Sequence, residues 1–269
     1  MSRELDIDQA VSTITRFIKG SLARSGLNGF VVGVSGGIDS AVAATLAVKA
    51  VGAEQVLGVI MPYRSSAPES TELAELLIRH LGMERRRVDI SPMIDAYYPR
   101  IDDTNRLRAG NKMARERMAI LFDLAHELDR LVLGTGNRTE ICLGYTTWYG
   151  DSACSINPIG QLYKTELRRL ARALGVPQPL IDRPPTADLW TGQTDEGEIG
   201  VTYERIDRLL MRLVDDGERS MSKLEAESFH ATEISRVVSL MNRNTFKRKL
   251  PEVAPLGKAP VPDDVILEE

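Results

Sequence analysis

Phe30-Val31-Val32-Gly33-Val34-Ser35-Gly36-Gly37-Ile38-Asp39-Ser40 decides the fold of this 269-residue chain. An apolar run stops in a Ser-Gly-Gly turn, and a small-residue segment of helical character follows at once. A strand that enters a helix through glycines gathers backbone N–H groups at the positive end of the helix dipole, and such a point binds phosphate. Asp39 adds a carboxylate beside it, which a magnesium ion can share with phosphate oxygens. Two familiar phosphate loops are excluded by residue. A Walker loop needs Gly-Lys followed by Ser or Thr, and no lysine lies between Gly33 and Ser40. A dinucleotide fingerprint needs G-x-G-x-x-G, and Ser35 stands where its second glycine should be.

Outward from this junction, strands and helices alternate. Ile7, Val11, Ile14, Ile18 and Leu22 repeat at helical spacing and predict an amphipathic first helix. Residues 30–34 read as the first buried strand, and 38–51, apolar nearly all round, as a helix packed on a sheet. A second strand is expected over 56–60, a helix over 69–81 and a short third strand over 87–90. Leu131, Val132 and Leu133 begin a fourth strand, and 164–174 is a helix closed by Gly175 and Pro177. The alternation implies one α/β domain, an open parallel sheet of about five strands ordered 3-2-1-4-5 with helices on both faces. Leu107, Asn111, Ala114, Met118, Leu121, Ala125 and Leu128 form the seam of a long helix, packed on its own sheet or facing a second subunit. Ser222 and Glu225 fit a capping box, so a helix is expected to start there. The domain is placed over 1–251, and 252–269, with prolines, acids and little periodicity, is expected to be a flexible tail.

The net charge of −4 argues against nucleic acid as a partner. Arg85-Arg86-Arg87 and Lys247-Arg248-Lys249 are local runs that read as solvated surface. Cys142 and Cys154 make neither a C-x-x-C pair nor a zinc pattern. With no signal peptide or membrane-length apolar run, a cytoplasmic protein with reduced cysteines is expected.

A second loop, Gly134-Thr135-Gly136-Asn137-Arg138-Thr139-Glu140, follows the fourth strand. In a 3-2-1-4-5 order, strands one and four are neighbours at the reversal where open α/β sheets place their sites. Asp39 and Glu140 should then approach each other, and two carboxylates with phosphate oxygens make an octahedral magnesium site.

The first loop, S-G-G-x-D-S, resembles the PP-loop of the ATP pyrophosphatases. Further blocks follow in order: Tyr149-Gly150-Asp151, Asn157-Pro158-Ile159-Gly160, Leu162-Tyr163-Lys164-Thr165-Glu166-Leu167, Pro185-Thr186-Ala187-Asp188-Leu189 and Gly192-Gln193-Thr194-Asp195-Glu196. Together they resemble ammonia-dependent NAD synthetase, from about residue 33 to about residue 203. The resemblance implies an adenine nucleotide α-hydrolase-like fold and a homodimer. It implies a reaction in which ATP adenylates the carboxylate of deamido-NAD, pyrophosphate leaves, and ammonia displaces AMP. By that likeness Gly33, Val34, Ser35, Gly36, Gly37, Ile38, Asp39 and Ser40 hold ATP phosphates, with Thr135, Thr186 and Lys164 as further ATP contacts. Asp39 and Glu140 bind Mg2+, Asp39 and Lys164 are the catalytic pair, and Arg115, Trp148 and Lys247 face deamido-NAD. A lysine in the first turn of a helix is unfavourable against the dipole, so its place there suggests a nearby anion. The segment 186–196 reads as a lid that keeps water from the acyl-adenylate.

The acceptor half departs from the family pattern. Trp148 stands where Lys is common, Ser155 where an acid is common, and Phe246 where His precedes Lys-Arg. These changes leave open a PP-loop amidoligase for another carboxylate, or a catalytically weakened nucleotide-binding homologue. A tRNA-modifying relative is disfavoured, since neither a basic appended domain nor a catalytic cysteine pair is visible.

Overall fold

In the computed structural model, which describes residues 5–102, 104–186 and 195–256, the apolar run becomes β1 (Phe30–Gly33). β2 (Val56–Ile60) pairs with one side of it, β3 (Glu84–Arg87) pairs outside β2, and β4 (Leu131–Val132) takes the other side of β1. All three pairings are parallel, and the order is β3-β2-β1-β4. The sheet therefore has four strands among the described residues, not about five. The fifth place is reduced to one parallel bridge between Leu133 and Ile156. Pro158 follows two residues later, and without an N–H it cannot extend the ladder. The third strand also lies three residues earlier than expected. It is a solvent-facing edge of Glu-Arg-Arg-Arg and shows no apolar alternation. The arginine run thus forms a strand, with Arg85 paired to Glu75 at 2.8 Å and Arg86 to Glu127 at 2.7 Å.

Alternation along β1 divides the core. Phe30 and Val32 face one apolar cluster and Val31 the other, as the strand period of two requires. On the first face lie α1 (Ile7–Ser25), α2 (Ile38–Val51) and α3 (Pro68–Leu81). Across the sheet lie α4 (Ser91–Tyr97) and α5 (Arg106–Glu127). The long-helix seam is α5, in which Leu107 is exposed while Met118, Leu121 and Ala125 join the second core. These last positions of the seam therefore pack on its own sheet. Beyond β4 come α6 (Arg138–Leu143), then α7 (Lys164–Ala173) and α8 (Gln178–Asp182), both of which return to the first face. A third apolar cluster joins α6 to α9 (Asp195–Ile199), α10 (Tyr203–Leu210), α11 (Met221–Ala226) and α12 (Ala231–Arg243). α11 starts ahead of the expected capping box, because the Ser220 hydroxyl already accepts from Lys223 N–H at 3.4 Å. The expected tail lies mostly outside the described residues, as does the lid segment over 187–194. Among the described residues, no helix is long and apolar enough to cross a membrane.

Gly36 sits at the turn between β1 and α2 with φ +78°, and a Cβ there would lie 2.3 Å from the Ser70 carbonyl oxygen. Gly37 has φ −94°, and its Cβ would meet nothing closer than the Ser35 hydroxyl at 3.3 Å. Gly36→Ala should lower unfolding stability by about 2 kcal/mol or more, and Gly37→Ala by less than about 1 kcal/mol, in urea denaturation. Equal effects would contradict this account of the turn.

Candidate active site

The turn after β1 is wound on its own side chains. Gly37 N–H donates to the Ser35 hydroxyl at 3.2 Å, Ser35 N–H donates to Ser40 Oγ at 3.3 Å, and that hydroxyl donates to the Gly37 carbonyl at 3.0 Å. α2 begins at Ile38, so its first N–H groups lack intrahelical acceptors and leave a donor-rich end at the turn. Asp39 stands in that first turn, where the dipole favours a carboxylate.

The loop after β4 brings the partner groups. Asn137 caps α6 in a reciprocal box: Glu140 N–H donates to Asn137 Oδ1 at 2.9 Å, and Asn137 N–H donates to Glu140 Oε2 at 3.2 Å. The Asn137 amide then donates across to Asp39 Oδ1 at 2.8 Å, joining the two loops. Lys164 completes the junction. Its Nζ lies 2.6 Å from Asp39 Oδ2 and 3.5 Å from Glu140 Oε1, and the residue is 3% exposed. The anion expected beside this first-turn lysine is thus a pair of the protein's own carboxylates. Below it, the Tyr203 ring lies 5.3 Å from Nζ, and the Tyr203 hydroxyl donates to Asp195 at 3.0 Å. Tyr145 adds its hydroxyl to Glu198 at 2.5 Å.

Burial and the neighbouring Asp39 push Glu140 up to about 8, against the pull of Lys164. Burial alone would lower Lys164, but Asp39 and Glu140 overcome it and hold the ammonium charged. Burial and the carboxylates around it likewise raise the Tyr203 phenol. Two acids and one cation thus share a single recess.

The recess opens into a cavity of about 610 Å³, within the usual range for a small-molecule site. Of the expected residues, Gly33, Val34, Ser35, Asp39, Ser40, Thr135, Glu140, Lys164, Thr186 and Lys247 line it. Gly36, Gly37 and Ile38 complete the turn without lining the cavity. Arg115 and Trp148 also lie off its wall. Arg115 is exposed and donates through Nε to the Trp148 carbonyl at 3.1 Å. Trp148 stacks on Tyr149 and meets Phe246 edge-on. Lys247 reaches the cavity, but its ammonium donates to the carbonyls of Gly144 at 2.8 Å and Thr146 at 2.7 Å. Burial, followed by the charges of Arg243 and Arg115, lowers its pKa in spite of Asp151. Ser155, read as a pocket position, faces elsewhere: its hydroxyl accepts from Val132 N–H at 3.0 Å and its N–H donates to the Val132 carbonyl at 2.9 Å. It secures the edge of the sheet.

Asn137, Asp195, Tyr203 and Asp207 belong to this junction and were not singled out from sequence. Asn137 carried a signal, since Asn-x-x-Glu after a strand is a helix start. The other three lie far along the chain, and only folding brings them near Lys164. Among the described residues, no group of three or more His, Cys, Asp or Glu is arranged to hold a metal ion. Asp39 and Glu140 nonetheless fit magnesium, which takes one or two protein carboxylates and fills its shell with water and substrate phosphate.

Known proteins resemble this chain over most of its length. The NAD synthase family model matches residues 10–251. An NH(3)-dependent NAD(+) synthetase from Fusobacterium nucleatum subsp. nucleatum is 43% identical over 255 residues, covering 95% of this chain and 98% of that protein. A solved NMN synthetase from Francisella tularensis superposes with a TM-score of 0.82 at 34% identity, over 93% of this chain and 99% of that one. An NH3-dependent NAD synthetase from Campylobacter jejuni, solved with nitrate, gives 0.79 at 32% identity, over 93% and 100%.

The raised Glu140 pKa links stability to pH. The folded protein holds a proton that the unfolded chain releases near 4.5, so this contribution is full below pH 4.5 and is lost as pH rises to about 8. Without divalent cation, the stability of the parent protein relative to Glu140→Gln should fall by about 1 kcal/mol per pH unit between pH 5 and 8. Denaturant titrations at both pH values measure it; a constant difference would contradict the assignment.

Proposed function

The chain belongs to the NAD synthase family, and from that membership together with the charged junction at the phosphate turn we infer that it amidates deamido-NAD. The reaction consumes ATP and ammonia and releases NAD, AMP and pyrophosphate. A carboxylate is a poor electrophile because its leaving group would be oxide. Adenylation of the nicotinate carboxylate replaces oxide with AMP, and ammonia then attacks the mixed anhydride. The work of the protein is to align the carboxylate with the α-phosphate and to neutralise charge on the departing pyrophosphate.

The observation that carries this reading is one ammonium held between Asp39 and Glu140, beside the helix end of the Ser-Gly-Gly turn. The turn formed by Gly33, Val34, Ser35, Gly36, Gly37, Ile38, Asp39 and Ser40 receives the phosphates at the start of α2, and Thr135 and Thr186 add contacts to ATP. Lys164 brings a compact charge to the phosphoryl oxygens. Asp39 and Glu140 hold Mg2+, which when bound neutralises phosphoryl charge. Lys247 serves the deamido-NAD side, with Arg115 and Trp148 at its rim. The protein acts in the cytoplasm with free ammonia as nitrogen donor.

Incubation with ATP, magnesium, ammonium and deamido-NAD, read by mass spectrometry, should give NAD, AMP and pyrophosphate in equal amounts. ADP and phosphate, or amidation of nicotinate mononucleotide in preference to deamido-NAD, would overturn the assignment. Asp39→Asn and Glu140→Gln should each lower kcat/KM by about a hundredfold or more while the fold persists by circular dichroism. We also expect a homodimer on the ground of family membership. Sedimentation at micromolar concentration should then give twice the 29.8 kDa chain mass; a monomer would refute it.

A further inference from the structure

Lys164 is held from behind by a helix that supplies nothing else to the site's charge. The Asp207 side chain lies in α10 and is 1% exposed. One of its oxygens accepts the Thr139 hydroxyl at 2.5 Å. The other accepts Thr165 N–H at 2.8 Å. The same Thr139 hydroxyl accepts Lys164 N–H at 3.0 Å. One carboxylate therefore ties the first turn of α7, which carries Lys164, to the residue before Glu140 in α6. Tyr203 stands four residues earlier on α10, one turn along the same face, with its ring 5.3 Å from the Lys164 ammonium. A single helix thus steadies both the backbone and the tip of Lys164.

An acid this deeply buried is costly unless its oxygens are satisfied. Here both are satisfied by groups adjoining the phosphate-facing residues and not by a second charge. We propose that Asp207 is a positioning residue: through Thr139 and the α7 N-terminus it sets the distance between Lys164 and Glu140, and so determines how tightly the site grips a polyphosphate. The inference rests on the reading of this cavity as an ATP site. Asp207 touches no phosphate and takes no part in adenylation.

Asp207→Asn keeps the shape but replaces one of the two acceptor oxygens with a donor. Thr139→Val removes the shared hydroxyl, and Thr139→Ser restores it. Calorimetric binding of ATP with magnesium, and of adenosine alone, separates positioning from general damage. Asp207→Asn and Thr139→Val should each weaken ATP by about tenfold and leave adenosine within about twofold, while Thr139→Ser keeps the parent ratio. Should Asp207→Asn fail to fold, Thr139→Val carries the same comparison. Equal losses for ATP and adenosine, or no loss for either, overturn the proposal. If the parent protein itself binds ATP no more tightly than adenosine, the ATP-site reading fails first and this inference falls with it.

Discussion

The ammonium of Lys164 between Asp39 and Glu140 is the constraint on which the rest of the site depends. Two elements packed on the first cluster and one on the third must end within hydrogen-bonding reach of one another, because the Lys164 ammonium alone would be a buried charge costing several kcal/mol. Asp39 comes from the first turn of α2, Glu140 from α6 and Lys164 from the start of α7. Their meeting fixes the spacing of the loops after β1 and β4 more tightly than the two-residue β4 could do by backbone pairing alone. A buried pair of this kind is weak evidence for stability. Its value lies in holding two acids ready beside a donor-rich turn, with one cation to keep them compatible.

The same arrangement explains why the two halves of the cavity differ in character. The side proposed for ATP is made of strand ends, helix starts and short side chains, and its geometry follows from the parallel sheet. The side proposed for the acceptor is made of α5, α12 and the irregular segment 144–151, in which side chains and carbonyls hold one another. Lys247 shows the consequence. It donates to the carbonyls of Gly144 and Thr146, so it anchors the end of α6 as well as reaching the cavity.

What could be read in the sequence follows the same division. β1, α2, β2 and the loop with Glu140 were legible, because buried parallel strands are continuous apolar runs and a glycine turn before a helix has a specific meaning. β3 was displaced because an edge strand of arginines carries no apolar signal. The fifth strand failed because one bridge and a proline do not make a ladder. Ser155 was misread because position along the chain does not reveal which way a side chain points; its hydroxyl binds the backbone of β4. Tyr203 and Asp207 had a shared-face spacing, but nothing in the chain says which helix that face will meet.

Trp148 and Phe246, read from the sequence as departures from the family pattern, form one contact. Their rings meet edge-on at 5.1 Å and 80°, and Tyr149 stacks on Trp148 at 4.5 Å and 25°. Aromatic pairs in these geometries contribute about 0.5–1.5 kcal/mol beyond area burial. Tyr149 holds φ +60°, a backbone state that a bulky residue adopts only under compensation, and the stacked indole is on hand to supply it. The Trp148–Phe246 contact fastens the segment after α6 to the segment after α12. Positive charge on this side of the cavity comes from Arg236, Arg243 and Lys247, which line it. The aromatic cluster holds the segment that carries Asp151 and makes no contact with the junction of Asp39, Glu140 and Lys164.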